Sequence, residues 1–283
     1  RVTDLEIGAF AIAMRIKGET PEELAGFMDA VEPRTLALQA PSAAVVLPSY
    51  NGARKLPNLT ALLALLLAQE GVPVLVHGPE HDPGRVTTAE IFHTLGLPIA
   101  QDSADIHAAW ARREPVFIRT EALCPPLARL LDARRVIGLR NPAHTVAKLL
   151  APGPQSPSMR VVNYTHPEYG TMLTGFLGQT LANAMLLRGT EGEPVADPRR
   201  QPRMDVWLGG QLRAELSLPA QEGVLAELPW LPRDTDAAST AVYVQEALSG
   251  MRPLPAPVAR QAALIMASMA ELERRGQPLV AAL

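Results

Sequence analysis

The sequence predicts an α/β protein: a small helical N-terminal unit followed by a larger unit with a mainly parallel sheet. Three observations carry this. Residues 1–30 place apolar side chains at helical spacing. Two short apolar strands, over 43–47 and 74–76, are separated by a loop and an apolar helix, the order of a parallel pair with a crossover. The 283 residues, 47% hydrophobic and 19% charged, suffice to bury a large core, and they exclude a disordered or collagen-like chain. The expected division is a helical unit over 1–40, joined by helices from 120–150, and an α/β unit over 41–283.

The elements follow in order. Ile7, Phe10, Ala11 and Met14 share one helical face, and Arg15 and Lys17 close that helix before Gly18. Thr20-Pro21-Glu22-Glu23 supplies an N-cap, a proline at the first helical position and acids in the first turn of the next helix. Leu24, Phe27, Met28 and Val31 form its apolar face. The strand over 43–47 ends at Pro48, and a polar loop leads to a helix over 59–69 that is apolar nearly all round and so expected to be buried. The strand at 74–76 runs into His77-Gly78, with a helix near 87–94 after it. Residues 127–150 read as two helices joined at Gly138, the second capped by Asn141-Pro142. A loop over 152–158, a strand over 159–164, a helix over 173–187 and a loop over 190–202 follow. Residues 236–249 and 256–275 read as helices.

Composition narrows the chemistry. The net charge of −3 supplies no global field toward nucleic acid, and 4% aromatic residues leave little for base stacking. The single cysteine, Cys124, cannot close an intrachain disulfide and excludes thiolate zinc clusters. The longest apolar run, 59–68, is too short to span a bilayer, and no signal peptide is visible, so a cytoplasmic location without membrane contact is expected. The chain opens at Arg1, without Met and inside a helix-like pattern, so residues before it are expected.

The loop after the first strand is the most informative segment. A loop at the carboxyl end of a parallel strand, opening a buried helix, presents free N–H groups to an anion. Ser49, Asn51, Gly52, Arg54, Lys55, Asn58 and Thr60 are the candidates there, with a capped surface turn as the plain alternative. It is not a P-loop, and Pro48 and Pro57 each remove a donor. His77 and Gly78 end the second strand beside it, and Arg85 lies just beyond a turn. His77 suits either a ligand contact or a structural role.

Charge is uneven along the chain. Residues 112–160 carry nine basic and three acidic side chains, a net +6, so the remainder carries −9. Arg112, Arg113, Arg119, Arg129, Arg135, Arg140 and Lys148 are candidates for a polyanion-binding patch, which Arg199, Arg200 and Arg203 could extend. A solvated helix face is the alternative. No serine elbow, paired catalytic carboxylates, Rossmann glycines or histidine metal motif appears, so no catalytic residue is assigned.

Several stretches resemble the anthranilate phosphoribosyltransferase family. They are Ala9-Phe10-Ala11-Ile12-Ala13-Met14-Arg15-Ile16-Lys17-Gly18-Glu19-Thr20-Pro21-Glu22-Glu23-Leu24, then Val76-His77-Gly78 onward, and Arg134-Arg135-Val136-Ile137-Gly138-Leu139-Arg140. The resemblance implies a fold shared with class II and III nucleoside phosphorylases, an active site in the cleft between the two units, and dimerisation through the helical one. It also implies that Arg134 matches an arginine contacting the aromatic acid.

The departures fall at the chemistry. Ser49-Tyr50-Asn51-Gly52-Ala53 stands where the family's enzymes carry Gly-Thr-Gly-Gly-Asp, and Pro79-Glu80 replaces Asn-Arg. The Mg²⁺-holding Asp-Glu pair falls near Glu193-Pro194, with Glu191 the other nearby acid. Pro48-Ser49-Tyr50-Asn51-Gly52-Ala53-Arg54-Lys55, Tyr164-Thr165-His166-Pro167-Glu168-Tyr169 and Arg188-Gly189-Thr190-Glu191-Gly192-Glu193-Pro194 resemble the YbiB branch of the family. That branch implies a homodimer that binds DNA or RNA without sequence preference and needs no cofactor. The alternative implied is a transferase using phosphoribosyl pyrophosphate and Mg²⁺, for which Glu191 and Glu193 are weak metal candidates.

Overall fold

The computed structural model describes residues 2–151 and 157–276. Two N-terminal helices come first, α1 (Asp4–Lys17) and α2 (Pro21–Val31). Each opens on a capping box, Thr3 with Glu6 and Thr20 with Glu23, in which threonine hydroxyl and glutamate carboxylate satisfy reciprocal backbone donors. Met14 of α1 and Leu24 and Met28 of α2 are buried.

The remainder is built on one eight-stranded sheet. Its strands are β1 (Ala44–Pro48), β2 (Val74–Gly78), β3 (Ile99–Ala100), β4 (Val116–Arg119), β5 (Ser158–Tyr164), β6 (Ala184–Arg188), β7 (Met204–Leu208) and β8 (Gln211–Leu212). They lie in the order β3-β4-β2-β1-β5-β6-β7-β8. The first six are mutually parallel, and β7 and β8 add an antiparallel edge. Parallel strands need both faces covered. One face packs against α3 (Thr60–Gln69), α4 (Thr88–Leu95), α10 (Ala237–Leu248) and α11 (Ala256–Gly276). On the other lie α5 (Ser103–Ala111), α7 (Pro125–Ile137), α8 (Ala143–Leu149) and α9 (Pro167–Gln179), with the short α6 (Thr120–Leu123) before α7. The second N-terminal helix packs on α8 and α9, and the first on α7.

The strand order fixes where a ligand can sit. The chain runs β1–α3–β2 to one side of β1, while β5 pairs with β1 on the other. That reversal opens a crevice at the carboxyl ends of β1 and β5, the usual ligand position in such sheets.

Most expected elements match, to within two residues at their ends. The helix expected over 173–187 does not. It ends at Gln179, and 184–188 form β6, a central strand with four of its five residues buried. An apolar run flanked on both sides by other strands has no period to distinguish it from a buried helix. The sequence pattern assigns nothing to the segment holding β3, α5, β4 and α6, because its strands are two and four residues long. It assigns no strand at β7 either. Within the loop expected over 152–158, residues 152–156 lie outside the described residues.

Candidate functional site

The loops after β1 and β2 are tied together below the crevice. Ala53 N–H donates to the Val86 carbonyl (3.0 Å) and Val86 N–H to the Ala53 carbonyl (2.8 Å). Ser49 N–H donates to the His77 carbonyl at 2.8 Å. A Cβ on Gly78 would lie 1.8 Å from the Ser49 carbonyl oxygen, so only glycine permits this approach. His77 has no exposed surface; its Nδ1 is 2.9 Å from the Tyr50 hydroxyl, which accepts from Thr120 Oγ1 at 3.0 Å. Burial pushes the imidazole down to about 3, so it stays neutral and lies behind the crevice.

The amides of the loop after β1 already hold anions, and both are the protein's own. Glu193 Oε1 accepts from the N–H groups of Asn51 and Gly52, each at 2.8 Å. Its Oε2 takes a short hydrogen bond from Ser49 Oγ, with Asn58 Nδ2, Thr60 Oγ1 and Thr88 Oγ1 each at 3.4 Å. Glu191 Oε2 accepts from Arg54 N–H at 2.8 Å and Lys55 N–H at 3.0 Å. The turn leading into Glu193, Thr190–Gly192, is tight: Glu191 has φ 53° and Gly192 φ 88°. The Gly192 carbonyl accepts from Asn51 Nδ2 at 2.9 Å, and a Cβ on Gly192 would fall 1.6 Å from that nitrogen. Asn58 and Thr60, expected beside a bound anion, are buried and directed at Glu193.

The cations expected as one patch do not stay together: only Arg140 and Lys148 reach the crevice, where they join the cleft candidate Arg85 and the unforeseen Arg15, with the cleft candidate Arg134 in the adjoining cavity. Arg112 pairs with Glu114 (2.8 Å), Arg119 with Glu80 (3.6 Å), Arg129 with Asp4 (2.8 Å) and Arg135 with Asp132 (3.2 Å). Arg199, Arg200 and Arg203 are likewise paired with Asp197 or Asp205. Arg113 sits apart, at the end of α5 in a left-handed conformation, φ 58°. In the crevice, Arg15, Arg85, Arg140 and Lys148 line one cavity of about 550 Å³ together with Asn51, Asn163, Tyr164, His166 and Tyr169. Arg134 lines a neighbouring cavity of about 500 Å³ with Tyr50, Thr120 and His144. Among the described residues, none of these five cations forms a salt bridge. Their hydrogen bonds run to neutral groups: Arg85 to the Gly52 carbonyl (3.1 Å), Arg140 to Asn51 Oδ1 (2.6 Å), Lys148 to Asn163 Oδ1 (2.9 Å) and Arg15 to the Tyr169 hydroxyl (3.2 Å).

Crowded like charges leave their mark. Burial depresses Arg140, and Arg134, Arg85 and Arg15 depress it further. Burial, with help from Arg140 and Arg134, pushes His144 down to about 3 and keeps it neutral. Burial and then Arg140 lower Lys148 to about 8, with Glu193 opposing. Such a cluster is a site for negative charge. Among the described residues, no group of three or more His, Cys, Asp or Glu side chains is gathered as metal ligands, and no helix is long and apolar enough to cross a membrane.

Sequence reasoning singles out Arg85, Arg134, Arg140 and Lys148 but not their company. Asn163 is legible as the carboxyl end of a strand, the position from which such sheets present ligand contacts. Arg15 and Tyr169 come from helices packed over the crevice and carry no local signal.

Residues 1–32 match the model of the glycosyl transferase family, helical bundle domain. The chain is 38% identical over 273 residues to YbiB of Escherichia coli K12, an uncharacterized protein, covering 95% of this chain and 84% of that one. It is 26% identical to the anthranilate phosphoribosyltransferase of Thermobifida fusca, covering 95% and 76%. Among solved structures, the anthranilate phosphoribosyltransferase of Thermus thermophilus superposes with a TM-score of 0.69 at 20% identity, over 97% of this chain and 81% of that one. The Saccharomyces cerevisiae enzyme in complex with PRPP and Mg gives 0.66 at 14% identity, over 95% and 77%. The shared fold is that of these enzymes.

Proposed function

Because the chain belongs to the anthranilate phosphoribosyltransferase family, we propose that it is a glycosyl transferase of the phosphoribosyl type, binding a phosphorylated sugar donor in the crevice beside β1 and β5. The supporting observation is the convergence there of Arg15, Arg85, Arg140 and Lys148, with Arg134 in the adjoining cavity, none of them in a salt bridge among the described residues. Unpaired, partly desolvated cations attract phosphate strongly.

In the reaction, the bond between the sugar's anomeric carbon and diphosphate breaks as a bond forms to an acceptor nitrogen, which releases a proton. The departing diphosphate gathers negative charge, and guanidinium groups already in place stabilise it. Arg134, with Tyr50 and Thr120, lines the adjoining cavity for an aromatic acceptor bearing an acid group. Mg²⁺ is the metal the family implies, and Glu191 and Glu193 stand at its expected place. They do not fit it as arranged, since N–H and hydroxyl groups surround the Glu193 carboxylate and Glu191 is held by two N–H groups. No step is assigned to a metal.

The test is pyrophosphate release from phosphoribosyl pyrophosphate across a panel of aromatic amines, anthranilate included. Release that requires an acceptor supports the proposal. No release with any acceptor at high protein concentration removes it.

One observation favours a second reading, sequence-independent nucleic-acid binding. With the loop amides taken by Glu191 and Glu193, the crevice offers side-chain cations more than a diphosphate cradle. Oligonucleotide affinity falling steeply between roughly 50 and 200 mM salt, without donor turnover, would favour it.

A homodimer is also proposed. Leu5, Ala9, Ile12 and Ile16 form an exposed stripe at helical spacing on α1, with Leu5 and Ile16 each 83% exposed. Val136 on α7, the helix against which α1 packs, is 89% exposed. An apolar stripe on a surface helix suits a second copy of the same stripe across a two-fold axis.

A further inference from the structure

We propose that Lys148, Asn163 and Arg140 form a phosphate-monoester subsite within the crevice, distinct from the amides of the loop after β1. It deepens the donor-binding proposal above and rests on it.

Asn163 carries the inference. It lies near the end of β5, is 1% exposed, and its side-chain nitrogen has no hydrogen-bond partner among the described residues. Lys148 Nζ donates to its Oδ1 at 2.9 Å, which fixes the amide the right way round, since an ammonium has no use for an NH₂ neighbour. The free Nδ2 is therefore a donor held in place beside the crevice. A buried donor left unmade costs stability, and a ligand acceptor removes that cost.

The neighbouring cations are equally under-used. Lys148 has three N–H donors, and its acceptors are the Asn163 carbonamide oxygen and, at 3.4 Å, the Asn163 main-chain carbonyl. Arg140 has five N–H donors and, among the described residues, one acceptor, Asn51 Oδ1. The carboxylate that bears on Lys148, Glu193, is committed to loop amides and hydroxyls. Arg85 and Arg15 add positive charge to the lining, Glu19, Glu168 and Glu191 sit at the same cavity, and His144, His166, Tyr164 and Tyr169 complete its ionisable lining. Two cations and a neutral amide donor lining one cavity suit a doubly charged, three-oxygen acceptor better than a singly charged carboxylate.

The proton balance gives a signature. Phosphate monoesters take their second charge near about pH 6. The Lys148 ammonium loses its proton as the pH rises past about 8. Affinity therefore falls on the alkaline side as Lys148 loses its proton, while His144 is neutral throughout the range, and Lys148→Arg assigns the limb.

The probe is ribose 5-phosphate, titrated calorimetrically into the whole protein, with ribose as the control. Saturable binding of the phosphate and none of ribose is expected. Lys148→Met and Asn163→Asp are each expected to weaken it by about tenfold or more, and Lys148→Arg to keep affinity within about threefold while abolishing the alkaline limb. Thermal melts report whether each variant is folded; Asn163→Asp gains an ion pair with Lys148 and serves if Lys148→Met does not fold. Wild-type affinity in both loss variants, no ribose 5-phosphate binding, or tighter binding of benzoate overturns the proposal. Ribose 5-phosphate binding without pyrophosphate release would remove transfer and leave the subsite standing. Turnover without that binding would do the reverse.

Discussion

Replacing Glu193 by alanine should damage the fold and open the anion site at once. The carboxylate is 1% exposed and takes two backbone N–H groups at 2.8 Å and the Ser49 hydroxyl. Each buried donor left without an acceptor costs about 1–3 kcal/mol. These donors share one acceptor and are not additive, so a total of about 3 kcal/mol is expected. At about 2–4 °C per kcal/mol, the melting temperature should fall by roughly 6–12 °C. Glu193→Gln keeps an acceptor for Asn51 and Gly52 and should lose about half as much. Differential scanning calorimetry measures both. Inorganic pyrophosphate should then raise the melting point of Glu193→Ala more than that of the wild type, because the vacated amides become available. A Glu193→Ala protein that melts within about 1 °C of the wild type, or gains no more from pyrophosphate, would refute the self-occupied loop.

Gly78→Ala should prevent correct assembly of the crevice, since the new Cβ meets the Ser49 carbonyl at 1.8 Å; recovery of a soluble protein with a wild-type melting point would contradict this. Acid should destabilise the fold: His77 and His144 are held near 3, so the unfolded chain binds more protons between about 3 and 6.5, and stability rises with pH across that window. Urea midpoints from about pH 4 to 7 should climb, and more shallowly in His144→Gln. If the proposed dimer forms through α1, Leu5→Glu with Ile16→Glu should lower the mass measured by light scattering to that of a monomer; an unchanged mass would remove the α1 stripe as the interface.

Much of this architecture is legible in the sequence because local chemistry and global position agree. Thr20-Pro21 with Glu23 announces a helix start, and the capping box is there. The helix α3 reads as buried because nearly all its residues are apolar, and seven of its ten are buried. What stays hidden depends on partners distant in sequence. Strand β6 is apolar in the same way a buried helix is, and its pairing with β5 and β7 decides the matter. At the site, the loop after β1 is legible as an anion cradle, but nothing local says that the occupant is Glu193, 141 residues beyond Gly52. Likewise the net charge of a segment does not tell a paired arginine from an unpaired one. Arg129 finds Asp4 from α1, whereas Arg140, among the described residues, bonds neutral Asn51.

A crystal structure of the protein soaked with phosphoribosyl pyrophosphate tests the arrangement most directly. The donor's phosphate oxygens should lie within hydrogen-bond reach of Arg85, Arg140 and Lys148, with Glu193 still bonded to the amides of Asn51 and Gly52. A diphosphate seated on those two amides, with Glu193 expelled, would contradict the account.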